Sequence, residues 1–165
     1  MRKIFKISDN LITDYLNSRN LDFNRKKMVI NKPIKFVNHF IWWFTNKREI
    51  FFYKINKEER IYFYQEIIQY KNKKYLIGGW HSNSKKVNLI HVLYFLKWQL
   101  YKNKKRKLNY DWVAVVKKNN SWILKLVKFL GYELVNKNKV YNKVIKNHFK
   151  VSVKNYFYLK LIVKN

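Results

Sequence analysis

The residues able to do chemistry gather in one stretch of this chain. His81-Ser82-Asn83-Ser84-Lys85-Lys86 is a polar run that opens a long apolar segment. A loop opening a helix presents backbone N–H groups and the positive end of the helix dipole to a phosphate, and serine hydroxyls and lysine charges add to that. The same run also reads as a solvated, capped helix start. Just before it, Gly78-Gly79-Trp80 holds two of the three glycines of the chain inside a β-prone run, the mark of a bulge or a close backbone approach. His81 carries the side chain that titrates near neutral pH. Other chemistries are absent from the pattern. There is no cysteine, so disulfides, thiolate nucleophiles and the usual zinc-finger ligand sets are excluded. His39, His81, His91 and His148 lack metal-ligand spacing, and no phosphate-binding P-loop occurs.

Around these residues, 165 positions with 48% apolar and 19% aromatic residues supply material for a core, and the expectation is a single domain over residues 1–165. Lys and Arg number 37 against 9 Asp and Glu, a formal charge of +28. Such a surface attracts polyanions, nucleic acid among them. Codon bias supplies a second account: 21 Asn beside 1 Ala, 3 Gly and 1 Pro is what an AT-rich genome enriches and depletes. The opening Met1-Arg2-Lys3-Ile4-Phe5-Lys6 is basic but leads into Ser8, Asp9 and Asn10, so no secretory signal is read. The most apolar runs, 40–44 and 87–96, fall short of the roughly 20 residues a membrane span requires. The default reading is a cytoplasmic protein, of undetermined oligomeric state.

The elements that must position the polar run follow from periodicity. Residues 9–18 read as a helix, with Leu11, Ile12, Tyr15 and Leu16 on one face and Ser8 or Asp9 as its cap. After the polar stretch 17–27 and Pro33, residues 34–44 form a second helix with an aromatic end. Residues 49–56 and 60–70 make an antiparallel hairpin across the polar turn 56–59, and 74–80 adds a third strand. Residues 87–101 are apolar nearly all round, which predicts a helix buried on more than one side. A basic loop at 102–107, a strand at 110–116 and a helix at 120–130 follow, with Gly131 at the position just past the helix end. Extended stretches at 132–135 and 149–163 close the chain. The fold class is α/β (α+β): a mixed, mostly antiparallel central sheet with helices on both faces.

Three stretches in this order resemble the GNAT superfamily of acyl-CoA-dependent N-acyltransferases. The first is Leu16-Asn17-Ser18-Arg19-Asn20 with Arg25, Met28, Pro33-Ile34, His39 and Trp43-Phe44, similar to members that acetylate amino sugars on nucleotide carriers. The second is the three-stranded meander with its glycine-bearing third strand. The third is Asp111-Trp112-Val113-Ala114-Val115-Val116 with Asn120-Ser121, Leu126 and Leu130-Gly131-Tyr132. Two features depart from the family pattern. The Gly-x-Gly or Gly-x-Ala motif at the start of the helix after the meander is replaced by His81 to Lys86, and Val127 stands where many members carry the tyrosine that protonates the departing thiolate.

The resemblance implies attack of an unprotonated amine on an acyl thioester of acetyl-CoA or another acyl-CoA, with no metal. It assigns Gly79 and Trp80 to the oxyanion-stabilising strand, the run His81, Ser82, Asn83, Ser84, Lys85 and Lys86 to the pyrophosphate, and Asn120 to the pantetheine amides. Glu66, in the second strand of the meander, is the first choice of base and His81 the second. Arg19 and Arg25 are assigned to a diphosphate on a small amine acceptor, or else to exposed ion pairs, and His39 to orienting substrate or to packing. A nucleic-acid-binding protein and a catalytically silent member of the same fold are the competing functions.

Overall fold

A computed structural model describes residues 3–108 and 110–162. Met1, Arg2 and Val163, part of the basic opening and of the expected last strand, lie outside the described residues. The elements in chain order are β1 (Ile4–Lys6), a 3-10 turn (Asp9–Leu11), α1 (Ile12–Asn20), α2 (Asp22–Arg25), α3 (Phe36–Thr45), β2 (Glu49–Lys54), β3 (Arg60–Tyr70), β4 (Lys73–Ser82), α4 (Leu89–Lys105), β5 (Asp111–Lys117), α5 (Ser121–Phe129), β6 (Glu133–Leu134), α6 (Lys139–Phe149) and β7 (Tyr156–Leu161). The strands form one seven-stranded sheet in the order β1-β2-β3-β4-β5-β7-β6. All of the registered pairs are antiparallel except β4 with β5, which is parallel. The mixed, mostly antiparallel sheet expected from the sequence is present.

The chain divides into two compact units, Met1–Glu66 with Gly78–Lys102 and Ile67–Ile77 with Asn103–Asn165. In the first, alternation along the strands sends side chains to opposite faces. Tyr62 and Ile50 pack with Tyr15 of α1 and Trp43 of α3. On the other face Phe63 stacks on Phe95 of α4 at 4.7 Å, and Phe51 meets Trp98 at 5.2 Å. The β2–β3 turn is closed by Asn56, whose Oδ1 accepts from the N–H groups of Glu58 and Glu59 at 2.9 and 2.7 Å.

In the second unit Tyr75, Ile77, Val113, Val135, Val144, Ile145 and Tyr158 form the core. The α5 helix ends as expected at Gly131, with φ +89°: its N–H donates to the Lys128 carbonyl and that of Tyr132 to the Val127 carbonyl. Asp111 opens β5 and is nearly buried; its Oδ2 accepts from Lys73 Nζ and from the Tyr141 hydroxyl, both at 2.7 Å. Burial pushes the carboxyl pKa up, but these two donors outweigh it and hold the group below its ordinary value.

Several expectations are corrected. The first helix starts at Ile12, after a 3-10 turn, because Asp9 is occupied elsewhere: its Oδ1 accepts from Trp43 Nε1 at 2.9 Å. The α4 helix is buried along one stripe, Val92, Phe95, Gln99 and Asn103, while Ile90, Tyr94 and Tyr101 are exposed. The expected basic loop at 102–107 is helical through Lys105. The expected strand at 149–163 is shorter, 156–161, and Phe149 closes α6, a helix the sequence reading did not anticipate.

Removing the acceptor at the start of β5 should be costly. Asp111→Ala is expected to lower unfolding free energy by about 1 kcal/mol, since it removes the acceptor shared by Tyr141 and Lys73. The carboxyl is depressed when folded, so its contribution is complete above the ordinary carboxylate range near 3.9 and is lost as pH falls through and below it. Urea unfolding at neutral and acidic pH checks both. Equal stability of wild type and variant at neutral pH would show the network to be idle.

Candidate functional site

The first unit concentrates its polar groups on the face of β3 and β4 that packs against α1 and α3. On β3 that face carries Tyr62, Tyr64 and Glu66, because alternate residues share a side. On β4 it carries Gly79 and His81, and His81 stacks on Tyr62 at 5.4 Å. Helix α1 turns Tyr15, Leu16, Ser18 and Arg19 inward. The ring of Tyr15 lies 4.6 Å from His81, 5.5 Å from Tyr62, 5.6 Å from Trp43 and 5.7 Å from His39.

Gly79 is explained by this packing. A Cβ placed there would lie 2.8 Å from Tyr64 Cε1 and 3.1 Å from its hydroxyl, so the tyrosine ring lies directly on the strand. The close backbone approach expected from the glycine pair is therefore present. Trp80 points to the opposite face, where it meets Phe95 at 5.8 Å. Above Tyr64 sits the Arg48 guanidinium, 4.1 Å from the ring centroid, and its Nε donates to Glu66 Oε2 at 3.0 Å. Glu66 Oε1 has no partner among the described residues.

The electrostatics of the face follow from burial. His81 is 3% exposed, and its Nε2–H donates to the Tyr15 carbonyl at 3.3 Å. Burial drives its pKa down to about 3, with the Arg19 charge adding to the effect, so the ring is neutral. The His39 pKa is lowered by burial as well, and its Nε2 has no partner among the described residues. Arg19 is nearly buried: Nη2 donates to the Ile30 carbonyl at 2.5 Å, Nη1 has no partner, and no carboxylate lies within ion-pair range among the described residues. Desolvation lowers its pKa.

The assigned residues separate into groups. Arg19, His39, Glu66, Gly79 and His81 come together around Tyr15 and Tyr64. Arg25 is spent on structure: it pairs with Asp22 at 2.9 Å and donates to the carbonyls of Asn20 and Asn31. In the 81–86 run, His81 and Ser82 are buried strand residues rather than loop residues. Ser82 Oγ donates to the Arg60 carbonyl, and the Asn83 side chain is engaged with Arg60 N–H and the Glu58 carbonyl. Ser84, Lys85 and Lys86 keep their side chains available. The N–H groups of Lys85, Lys86 and Val87 have no hydrogen-bond partner among the described residues, ahead of the 17-residue helix α4. Asn120 belongs to the other unit, at the N-cap position of α5, and its side chain makes no cap hydrogen bond. Val127 lies within α5 as expected.

Sequence reasoning passed over Tyr15, Tyr64 and Arg48. The signal for Tyr64 was its place between Tyr62 and Glu66 on one strand face. Its contact with Gly79 depends on strand register and was not readable.

One further feature concerns β4 itself. Its parallel pairing with β5 is confined to Tyr75↔Asp111 and Leu76↔Trp112. Among the described residues, no strand is registered against that edge of β4 from Gly78 onward, and at its end the Ser82 carbonyl accepts from Asn24 Nδ2 at 2.7 Å.

No protein-family model and no curated protein matches the sequence. Solved structures do match. An N-acetyltransferase from Staphylococcus aureus superposes with a TM-score of 0.69 at 14% identity, covering 98% of both chains. A ribosomal-protein-alanine N-acetyltransferase from Brucella melitensis gives 0.70 at 9% identity over 96% of this chain and 98% of that one. A Salmonella typhimurium protein solved with its cofactor acetyl-CoA gives 0.72 at 8% identity over 98% and 94%. The chain has the fold of the GNAT-type N-acetyltransferases. Among the described residues of this GNAT-type fold, no group of three His, Asp or Glu side chains is arranged to hold a metal ion.

The buried neutral histidine carries a pH signature. The folded pKa of His81, about 3, lies below the unfolded value near 6.5. The unfolded chain therefore takes up a proton that the folded chain refuses, and stability falls as pH drops from about 6.5 towards 3, by up to ~1.4 kcal/mol per pH unit. Urea midpoints measured between about pH 7.5 and 5 should fall for the wild type and flatten for His81→Phe. Parallel slopes would refute a neutral, buried His81.

Proposed function

We propose that the protein transfers an acyl group from acyl-CoA to the primary amine of a small acceptor that also carries an anionic group. The observation that carries the acyl-CoA half is the open edge of β4 running into the loop ahead of α4. An unpaired strand edge accepts an extended, amide-bearing chain by β-type hydrogen bonding, and pantetheine is such a chain. The three unbonded N–H groups at 85–87, the dipole of α4 and the Lys85 and Lys86 charges suit a pyrophosphate. The donor set thus fits acyl-CoA, although the loop lacks glycines. The fold neighbours that are N-acetyltransferases, one solved with acetyl-CoA, support the same reading.

Acyl-CoA would supply the activated thioester; the chain supplies donors and a base. Of the two assigned N–H groups, that of Trp80 points to the edge away from β3, because Asn83 N–H donates to the Arg60 carbonyl and alternate residues share an edge, and it is the candidate to receive a carbonyl oxygen as it gains negative charge; that of Gly79 points towards β3. Of the two base candidates, His81 is buried, neutral and engaged with Tyr15, and a pKa of about 3 leaves it little proton affinity at neutral pH. Glu66 is accessible enough to act through its uncommitted Oε1, directly or through one water, while Arg48 fixes its other oxygen.

The acceptor half rests on Arg19. A buried guanidinium with an unpartnered Nη1 and no carboxylate nearby is costly unless a ligand anion completes it. A carboxylate or phosphate on the acceptor meets that need, and a nucleotide-linked amino sugar, which carries a diphosphate, is the acceptor the sequence resemblance suggests.

Calorimetric titration with acetyl-CoA at moderate and high salt, with tRNA as a polyanion control, tests the first half. Saturable binding that persists at high salt is expected, and binding that vanishes with salt while RNA binds tightly would overturn it. Ser84→Ala is expected to weaken acetyl-CoA binding roughly 3- to 10-fold, and unchanged affinity would remove that assignment. For the acceptor, Arg19→Gln should raise KM for anionic amines about 10- to 100-fold while leaving acetyl-CoA affinity intact. Equal use of neutral and anionic amines by the wild type would count against the Arg19 assignment.

A further inference from the structure

The outward face of α3 is the most apolar exposed surface carried by one helix of the first unit. Phe36, Val37, Phe40, Ile41 and Phe44 are each between 46% and 65% exposed. At 3.6 residues per turn they fall within an arc of about 140°, opposite His39 and Trp43, which face the core. The rings are already in contact with one another on the surface: Phe36 with Phe40 at 6.0 Å and Phe40 with Phe44 at 5.0 Å. Isolated exposed apolar residues need no account, but a contiguous stripe of five does.

The charges around the stripe identify what covers it. From Phe23 to Arg48 the chain has seven basic residues, Arg25, Lys26, Lys27, Lys32, Lys35, Lys47 and Arg48, and no Asp or Glu. Lys27, Lys32 and Lys35 precede the helix and Lys47 follows it; all four are exposed and have no ion-pair partner among the described residues. An apolar helix face with an unpaired, exposed lysine at each end, Lys35 and Lys47, is complementary to an anionic bilayer surface, where the stripe would enter the acyl boundary and the ammonium groups meet the headgroups. A second copy of this chain fits less well, since each copy brings the same uncompensated lysines to the contact and a net charge of +28. Nucleic acid answers the lysines but not Val37 and Ile41, which offer no ring to stack a base.

We infer that α3 docks the protein on anionic membrane surfaces as an interfacial helix. This is peripheral attachment: among the described residues no helix is long and apolar enough to cross a membrane. It is independent of the acyl-transfer reading.

The test is co-sedimentation of the full chain with phosphatidylcholine vesicles, with and without roughly a third phosphatidylglycerol, at moderate and high salt. Wild type should partition onto the anionic vesicles. The triple variant Phe40→Ser, Ile41→Ser, Phe44→Ser should lose about tenfold or more of that partitioning while keeping its near-native circular dichroism, since the three side chains are solvent-exposed. Lys32→Gln with Lys35→Gln and Lys47→Gln, a variant that leaves the stripe intact, should weaken binding and flatten its salt dependence. Undiminished binding by the triple serine variant would show that diffuse charge alone is at work and overturn the inference. So would absence of wild-type binding to anionic vesicles. Two other results would reassign the face: sedimentation velocity showing that the serine variant converts a dimer to monomer, or tRNA binding that depends on the same three residues.

Discussion

Tyr15 is the side chain on which the first unit turns. Its ring touches Trp42, Trp43, Tyr62, His39 and His81, drawn from one helix and two strands. Ring pairs of this kind add to the area they bury, so the cluster holds α1 and α3 against the sheet, beside one ion pair from Asp14 of α1 to Arg60 of β3 at 3.7 Å. The arrangement requires His81 to be uncharged, since a buried imidazolium among the rings would face the Arg19 charge as well. From this anchor the backbone of the α1–α3 region is tied down by amides. Asn24 donates to the carbonyls of Ser18 and Ser82, each at 2.7 Å, and Asn20 both donates to the Ile34 carbonyl and accepts from the Ile34 N–H. The end of β4, and with it the start of the loop ahead of α4, is therefore positioned by α1 and α2.

Acidic residues are scarce enough that their positions are informative only where they are buried. With four cations for every carboxylate, an exposed acid meets a partner almost wherever it lies, and pairs such as Asp22 with Lys26 are worth little. Asp111 and Glu66 differ. Each is largely withdrawn from water and each ties distinct elements together: Asp111 joins the starts of β4 and β5 to α6, and Glu66 joins β3 to Arg48 ahead of β2.

The order of elements was legible because the long elements are separated by polar turns. β-Prone composition marked β2, β3 and β4, and Gly131 marked the end of α5 because a residue tolerant of positive φ closes that turn without strain. The missed elements lack such signals. β1 is three residues at a sheet edge, and α2 is a single turn. α6 was hidden by composition: Val140, Tyr141, Val144 and Ile145 recur at helical spacing, yet Val, Tyr and Ile are also the residues that favour strands. In the site, the glycine pair announced a close approach, but what approaches it, Tyr64, depends on register. Arg19 and Arg25 looked alike in sequence; what separates them is which carbonyls and carboxylates the fold brings to each, and Arg25 receives three partners while Arg19 keeps one nitrogen bare.

On the proposed function, the loop ahead of α4 would hold a phosphate with lysines where the resemblance leads one to expect glycines. Glycines let a backbone approach a phosphate closely, so that N–H groups donate at full strength. In this chain side chains stand at every position of the run, and they would hold a ligand farther from the backbone. Two lysines occupy the same segment. A hydrogen bond fades within a few tenths of an ångström, whereas the attraction of an ammonium group falls slowly with distance and is limited mainly by ionic strength. Replacing glycine by lysine at such a site therefore trades short-range, salt-insensitive contact for longer-range, salt-sensitive attraction. On that reading the seat of affinity would move towards the edge of β4 and its backbone amides, which salt screens little. In this chain the open edge, from Gly78 onward, is the part of the proposed site whose function does not depend on side-chain identity, and it is held in place by the ring cluster around Tyr15.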